Sequence, residues 1–234
     1  MTPEQQRLAA AIDHTLLKPE ASSAAIKKLC DEAREYGFAS VCVNPTHVQA
    51  AAQHLSGTAV KVCTVIGFPL GANTTATKVF EAENAVREGA TEIDMVLNVG
   101  ALVEGNHALV ESDIRAVAEA GHKAGAIVKV IIETALLEEA HKIAACEIVT
   151  RAGADFIKTS TGFAAKGATL EDVRLMRARI GAAVKVKASG GIRDLAFTQE
   201  LLKAGAERIG ASAGVAIVDA LGGKVSAGAA SGGY

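Results

Sequence analysis

Two lysines, Lys158 and Lys187, each close a short β-like run, Phe156-Ile157-Lys158 and Val184-Lys185-Val186-Lys187. If those runs are neighbouring strands of one sheet, their backbones lie about 5 Å apart. Two ammonium groups at that spacing disfavour each other's charge, and burial disfavours it further. At least one of the two is therefore expected to have a lowered pKa. A neutral lysine in a closed pocket attacks carbonyl carbon and forms a Schiff base. The competing explanation is structural: each lysine pairs with a carboxylate such as Asp94 or Glu133, both in strand-like runs of their own. For one interior lysine that pairing would be the better account; for two on adjacent strands beside carboxylates, chemistry is. Lys61, Lys129 and Lys185 are read as structural, with Lys185 on the same face as Lys187 but deeper.

A second set of residues points to an anion. Ser189-Gly190-Gly191-Ile192-Arg193 follows the second lysine run, and Gly210-Ala211-Ser212-Ala213-Gly214 closes the last β-like run, Arg208-Ile209-Gly210. Glycine lets backbone N–H groups approach phosphate oxygens, and the start of a following helix favours negative charge. Tight turns alone would also use glycine, but two such loops after consecutive strands favour a phosphate site. Together the two sets describe an enzyme that acts on a phosphorylated carbonyl compound through an imine.

Such groups converge only if the elements bring strand ends to one place. One local pattern recurs along the chain: a helix-like stretch, a glycine (Gly37, Gly57, Gly89, Gly125, Gly153, Gly181, Gly205), then an apolar run. Glycine just past a helix takes the left-handed conformation that ends it. The runs, such as Val60–Ile66 and Ile127–Ile132, are apolar almost throughout, as in strands buried on both faces. Seven such units plus an opening strand near Ala11–His14 predict a single (β/α)₈ TIM barrel. An open doubly wound sheet is the alternative, but it would carry a Gly-rich fingerprint after its first strand. The barrel is expected over residues 1–221, with a short helix before Ala9 and a last helix over Ser212–Leu221. Residues 222–234 have the composition of a flexible linker and end on Tyr234. In this fold the active site lies at the C-terminal strand ends. That rule makes Asp13, Thr15 and Cys42, which close the first two runs, candidates for the pocket wall.

Composition narrows the function. The chain has 234 residues, half of them hydrophobic, and a net charge of −2, with no basic surface for nucleic acid or anionic lipid. No apolar run reaches the roughly 20 residues of a membrane span, and the first residues lack the apolar stretch of a secretory signal; a cytoplasmic protein is expected. Four cysteines show no C-x-x-C pair and six histidines no metal-ligand spacing, so reduced thiols and no metal are expected. Cys42 has no histidine nearby in sequence to activate it and is read as packing. The oligomeric state, a homo-oligomer included, is not legible.

The strings Ile157-Lys158-Thr159-Ser160-Thr161-Gly162, Val186-Lys187-Ala188-Ser189-Gly190-Gly191-Ile192-Arg193 and Ile93-Asp94-Met95-Val96-Leu97-Asn98 resemble those of the deoxyribose-phosphate aldolase family. So do Ile12–Pro19, Val41-Cys42-Val43 and the terminal Tyr234, in the family's order from about residue 12 to the end. The resemblance implies reversible cleavage of 2-deoxy-D-ribose 5-phosphate to acetaldehyde and D-glyceraldehyde 3-phosphate, without metal or cofactor. It implies that Lys158 forms the imine, that Lys187 lowers its pKa, and that Asp94 works with Lys187 and a water on the proton. It also implies that Thr161, Gly190, Gly191, Arg193, Gly210 and Ser212 hold phosphate, and that Tyr234 folds back to the barrel mouth. Two departures stand out: Phe163 where some members have lysine, and Ala213 where some have a second serine. The partners implied are small phosphosugars and aldehydes. A bisphosphate aldolase would need a second phosphate site, and a phosphosugar-binding regulator without catalysis would not need Asp94, Lys158 and Lys187 together.

Overall fold

The computed structural model describes residues 1–223; Tyr234 and the tail from Lys224 lie outside the described residues. Eight parallel strands pair in sequence order, and the last pairs with the first to close a barrel. They are β1 (Ile12–Leu16), β2 (Ser40–Val43), β3 (Lys61–Ile66), β4 (Glu92–Val96), β5 (Ile127–Ile131), β6 (Phe156–Lys158), β7 (Lys185–Ser189) and β8 (Arg208–Ala211). Around them run α1 (Pro3–Ala9), α2 (Ser23–Tyr36), α3 (Val48–His54), α4 (Thr75–Arg87), α5 (Val99–Val103) and α6 (His107–Lys123). The ring continues with α7 (Glu139–Ala152), α8 (Leu170–Arg179), α9 (Leu195–Lys203) and α10 (Gly214–Leu221). The expected (β/α)₈ architecture is therefore present. The outward faces of the strands and the inward faces of the helices form one continuous apolar core, including Ile12, Val41, Val62, Ile93, Val128, Ile157, Val186 and Ile209.

Local signals account for the element ends. Thr2 and Gln5 form a capping box at α1, and the Gln5 side chain donates to Val218 O at 3.1 Å, pinning α1 to α10. Gly37 and Gly153 end α2 and α7 in the left-handed conformation, as the recurring glycine predicts. Gly181 departs from that expectation. It has no positive φ, and its hydrogen atom faces Thr150, whose Cγ2 would lie 2.6 Å from an added Cβ. Close packing between α7 and the α8–β7 turn, not helix termination, requires glycine there. The last helix begins at Gly214 rather than Ser212, leaving Ser212 and Ala213 in the turn above β8. No helix of the described residues is long and apolar enough to cross a membrane.

Candidate active site

Register sets the site. Lys158 pairs with Lys187 across β6 and β7, and Asp94 pairs with Lys129 across β4 and β5. Alternation turns these side chains, with Asp13, Glu92 and Arg208, toward the barrel axis. Contacts between strands that are not neighbours confirm it, because they can form only through the interior. Asp94 Oδ2 accepts from both Lys158 Nζ and Lys187 Nζ at 2.7 Å, while Oδ1 accepts from Lys129 Nζ at 2.9 Å and from the Cys63 thiol at 3.2 Å. Lys187 also meets Asp13 Oδ2 at 2.5 Å, Lys129 meets Glu92 at 2.6 Å, and Arg208 bridges Asp13 and Glu92.

Three carboxylates thus face four cations in the barrel interior. Lys129, Lys187 and Arg208 each touch two acids. Lys158 touches one, and shares that oxygen with Lys187. It is the least compensated cation of the cluster. It is also the lysine nearest the mouth, 3 % exposed where Lys129 and Lys187 are sealed. Phe156 closes the lower end, with Lys185 Nζ 5.7 Å and the Arg208 guanidinium 6.0 Å from its ring centroid.

Electrostatics corrects one expectation. Burial alone would lower the Lys187 pKa, but the Asp13 and Asp94 carboxylates hold it well above the ordinary lysine value. Lys187 is therefore a stable ammonium. Asp94 was an expected lysine partner; Asp13, the second acid on Lys187, was not. Burial would likewise raise the Asp94 carboxyl, yet Lys129, Lys158 and Lys187 together hold it well below the usual carboxylate range. Asp13 is lowered in the same way, burial being outweighed by Lys187 and Arg208.

These depressed pKa values have a sign in stability. A carboxyl more acidic folded than unfolded stabilises the fold above its unfolded pKa and loses that contribution as pH falls through the folded value. Denaturant midpoints should therefore stay level down to about pH 4, the ordinary carboxylate value, and fall below it. Asp13→Asn should flatten the fall; a midpoint that rises on acidification would contradict the pairing.

Other predicted residues separate by place. Thr15 is buried and its hydroxyl donates to Asp13 O at 2.8 Å. Cys42 and Cys63 are register partners, and with Asp94 they bring ligand atoms within 4.8 Å of one another. A soft cation could use that spacing, but the lysines and a thiol already occupy both Asp94 oxygens. The bond to Cys63 lowers the Cys42 thiol, while burial pushes Cys63 up. All four cysteines are free thiols. Thr161 is buried, and its hydroxyl is committed to Glu133 while accepting the Phe163 amide at 3.0 Å; here it builds its loop. Glu133, offered as a lysine partner, instead takes the Thr161 amide at 3.2 Å.

Beyond β7, Gly190 packs against Gly162 and Gly167 of the β6–α8 loop, bringing the two loops together. Arg193 and Ser212 are exposed beside them. Of the helices that follow β7 and β8, α9 has its N-terminus capped by Asp194. Among the described residues, none caps the N-terminus of α10 with a side chain, and helix N-termini of that kind suit an anion. Glu92 and Arg208 also belong to the cluster and carried no signal in the sequence; Lys129, read there as structural, pairs with Glu92 and Asp94.

Comparison with known proteins agrees with this geometry. A model of the DeoC/LacD family of aldolases matches residues 7–232. The chain belongs to that aldolase family. It is 60 % identical over 215 residues to the deoxyribose-phosphate aldolase of Geobacillus sp. (strain WCH70), covering 92 % of this chain and 96 % of that one. It is 56 % identical over 223 residues to the deoxyribose-phosphate aldolase of Clostridium perfringens (strain SM101), covering 95 % and 98 %. Among solved structures, the tetrameric deoxyribose phosphate aldolase of Aeropyrum pernix superposes with a TM-score of 0.87 at 33 % identity, covering 93 % and 92 %.

Proposed function

We propose that this aldolase cleaves 2-deoxy-D-ribose 5-phosphate reversibly to acetaldehyde and D-glyceraldehyde 3-phosphate through a Schiff base on Lys158. The observation that carries the reading is Asp94 Oδ2 held at 2.7 Å by both Lys158 and Lys187. Lys158 Nζ adds to the substrate carbonyl and water leaves. The protonated imine then takes the electron pair of the breaking carbon–carbon bond while the substrate's 3-hydroxyl gives its proton to a base or water and leaves as the aldehyde of D-glyceraldehyde 3-phosphate, so that an enamine of two carbons remains on the lysine. A proton must next reach the enamine carbon. Asp94, bonded to the ammonium of Lys187 as well as to Lys158, lies on a path that can pass it, through a water where direct reach fails. Lys129 and Glu92 fix the orientation of Asp94 from below. Asp13, Thr15 and Cys42 wall the pocket. Hydrolysis of the imine releases acetaldehyde.

Phosphate is assigned to the amides around Gly190, Gly191 and Gly210, the uncapped start of α10, and the exposed Ser212 and Arg193, with Thr161 holding the neighbouring loop. Phe163 contributes no charge there, so Arg193 carries the cationic contact. In assays of acetaldehyde release, Arg193→Ala is expected to raise KM for the phosphorylated sugar by about 10-fold or more, the scale of a lost charge-assisted hydrogen bond. KM for unphosphorylated 2-deoxyribose should hardly move. Equal effects on the two substrates would place the phosphate elsewhere, and failure of the wild type to release acetaldehyde would refute the reaction itself. Tyr234 belongs to the proposal as a proton-handling hydroxyl from the tail. Self-association belongs to it too: Leu70, Phe80 and Leu136 are large, apolar and exposed, and the A. pernix relative is tetrameric.

A further inference from the structure

Two aromatic rings meet above the cluster from strands that are not neighbours. Phe68 follows β3, Phe163 lies in the loop after β6, and β4 and β5 separate those strands in the barrel. Their centroids are 5.2 Å apart with the ring planes perpendicular, the favourable edge-to-face arrangement. Phe68 packs against the small buried cluster formed by Leu17, Cys42, Cys63 and Val65. Of these, Cys63 touches Asp94 at 3.2 Å, and Cys42 has its sulfur within 4.8 Å of the same carboxylate. The contact therefore spans the mouth, and its lower side forms the roof of an apolar shelf beside Asp94.

Both rings are held. The Gly67 amide donates to Glu81 at 2.6 Å, and the Gly71 amide closes back on Gly67 O at 2.7 Å. Gly71 lies so close to β4 that an added Cβ would meet Leu97 O at 1.9 Å. Below this turn the buried Lys78 pairs with Asp113 at 2.6 Å, and its methylenes lie against Gly67. Phe163 is 45 % exposed, and its amide is tied to Thr161 at 3.0 Å.

The shelf has a chemical consequence that rests on the imine reading above. A fragment bonded to Lys158 Nζ must place its α-carbon beside Asp94 if that carboxylate serves the proton there. That brings the carbon toward the Cys42 and Cys63 thiols beside Asp94, and so toward the apolar cluster on which Phe68 packs. A hydroxyl on the α-carbon would lose water and gain only thiols. An extra methyl would press against a roof braced by Phe163.

We propose that Phe68, braced across the mouth by Phe163, is the specificity-determining residue that restricts the nucleophilic partner to an aldehyde whose α-carbon is an unsubstituted methyl. The test needs no phosphate and no carbon–carbon bond formation. Lys158 adds to a free aldehyde with loss of water, the α-proton passes to the cluster, deuterium from D₂O returns, and hydrolysis releases labelled aldehyde. Exchange of acetaldehyde and propanal protons is followed by NMR for the wild type, Phe68→Ala and Phe163→Ala. One methyl in an apolar pocket changes such a ratio by about 10- to 200-fold. Phe68→Ala is expected to raise the propanal-to-acetaldehyde ratio on that scale, and Phe163→Ala to raise it less. If Phe68→Ala does not fold, Phe68→Leu takes its place, with a smaller increase expected. An unchanged ratio in the Phe68 and Phe163 variants, with acetaldehyde exchange intact, overturns the proposal. A wild type that exchanges no acetaldehyde protons overturns the imine reading beneath it.

Discussion

Borohydride added to the protein with acetaldehyde should leave a reduced two-carbon adduct on the peptide that carries Lys158, and on no other lysine. The expectation follows from the charge count. Four cations share three carboxylates, and Lys158 alone touches a single acid, through an oxygen that Lys187 also uses. Lys187 is held protonated by Asp13 and Asp94, and an ammonium does not attack carbonyl carbon. Lys129 is sealed beneath Asp94 with two carboxylates of its own. Lys158→Met should abolish trapping and lower turnover by about 10⁴-fold or more, because the covalent route disappears with the amine. Peptide mapping decides: an adduct on Lys187 would reverse the roles assigned to the two lysines.

Asp94→Asn should harm activity and stability together. The carboxylate accepts from three lysines and one thiol, so its loss leaves buried ammonium groups without their counter-charge. Breaking a buried pair in this way costs about 3–5 kcal/mol, while loss of the proton path lowers turnover by about 10² or more. The two effects separate in the double variant Asp94→Asn/Lys129→Met. Removal of one stranded cation should recover part of the denaturant midpoint without recovering turnover. Turnover near the wild-type rate in Asp94→Asn, or an unchanged midpoint, would remove Asp94 from the centre of the cluster.

Most strands were legible because burial on both faces makes runs such as Ile127–Ile131 nearly apolar, although β1 and β7 carry several polar residues. Lys158 and Lys187 were legible because each interrupts such a run at its end, where the fold places chemistry. Lys129 was not, since in sequence it looks like any charged residue within a strand. Its meaning depends on which face of β5 turns inward, and that is fixed only when the register with β4 sets it opposite Asp94. Counting alternate residues back from Lys158 and Asp94 would have turned Glu92 inward as well. Arg208 opens β8 and reaches Asp13 only once β8 pairs with β1, an event with no local signature. The upward shift of Lys187 was not legible for the same reason, because Asp13 is distant in sequence and touches Lys187 only through the barrel interior.

The interior charges also follow a division along the chain. Asp13, Glu92 and Asp94 all come from β1 and β4, in the first half of the barrel; Lys129, Lys158, Lys187 and Arg208 come one each from β5, β6, β7 and β8. One half-barrel is acidic at its core and the other basic. Cut between β4 and β5, either fragment would present charges of a single sign to any copy of itself, so two identical halves could not close a barrel without stranding them. The two different halves satisfy each other. The interior charges are thus complementary between the two halves, and the basic half finds its counter-charges in the acidic one.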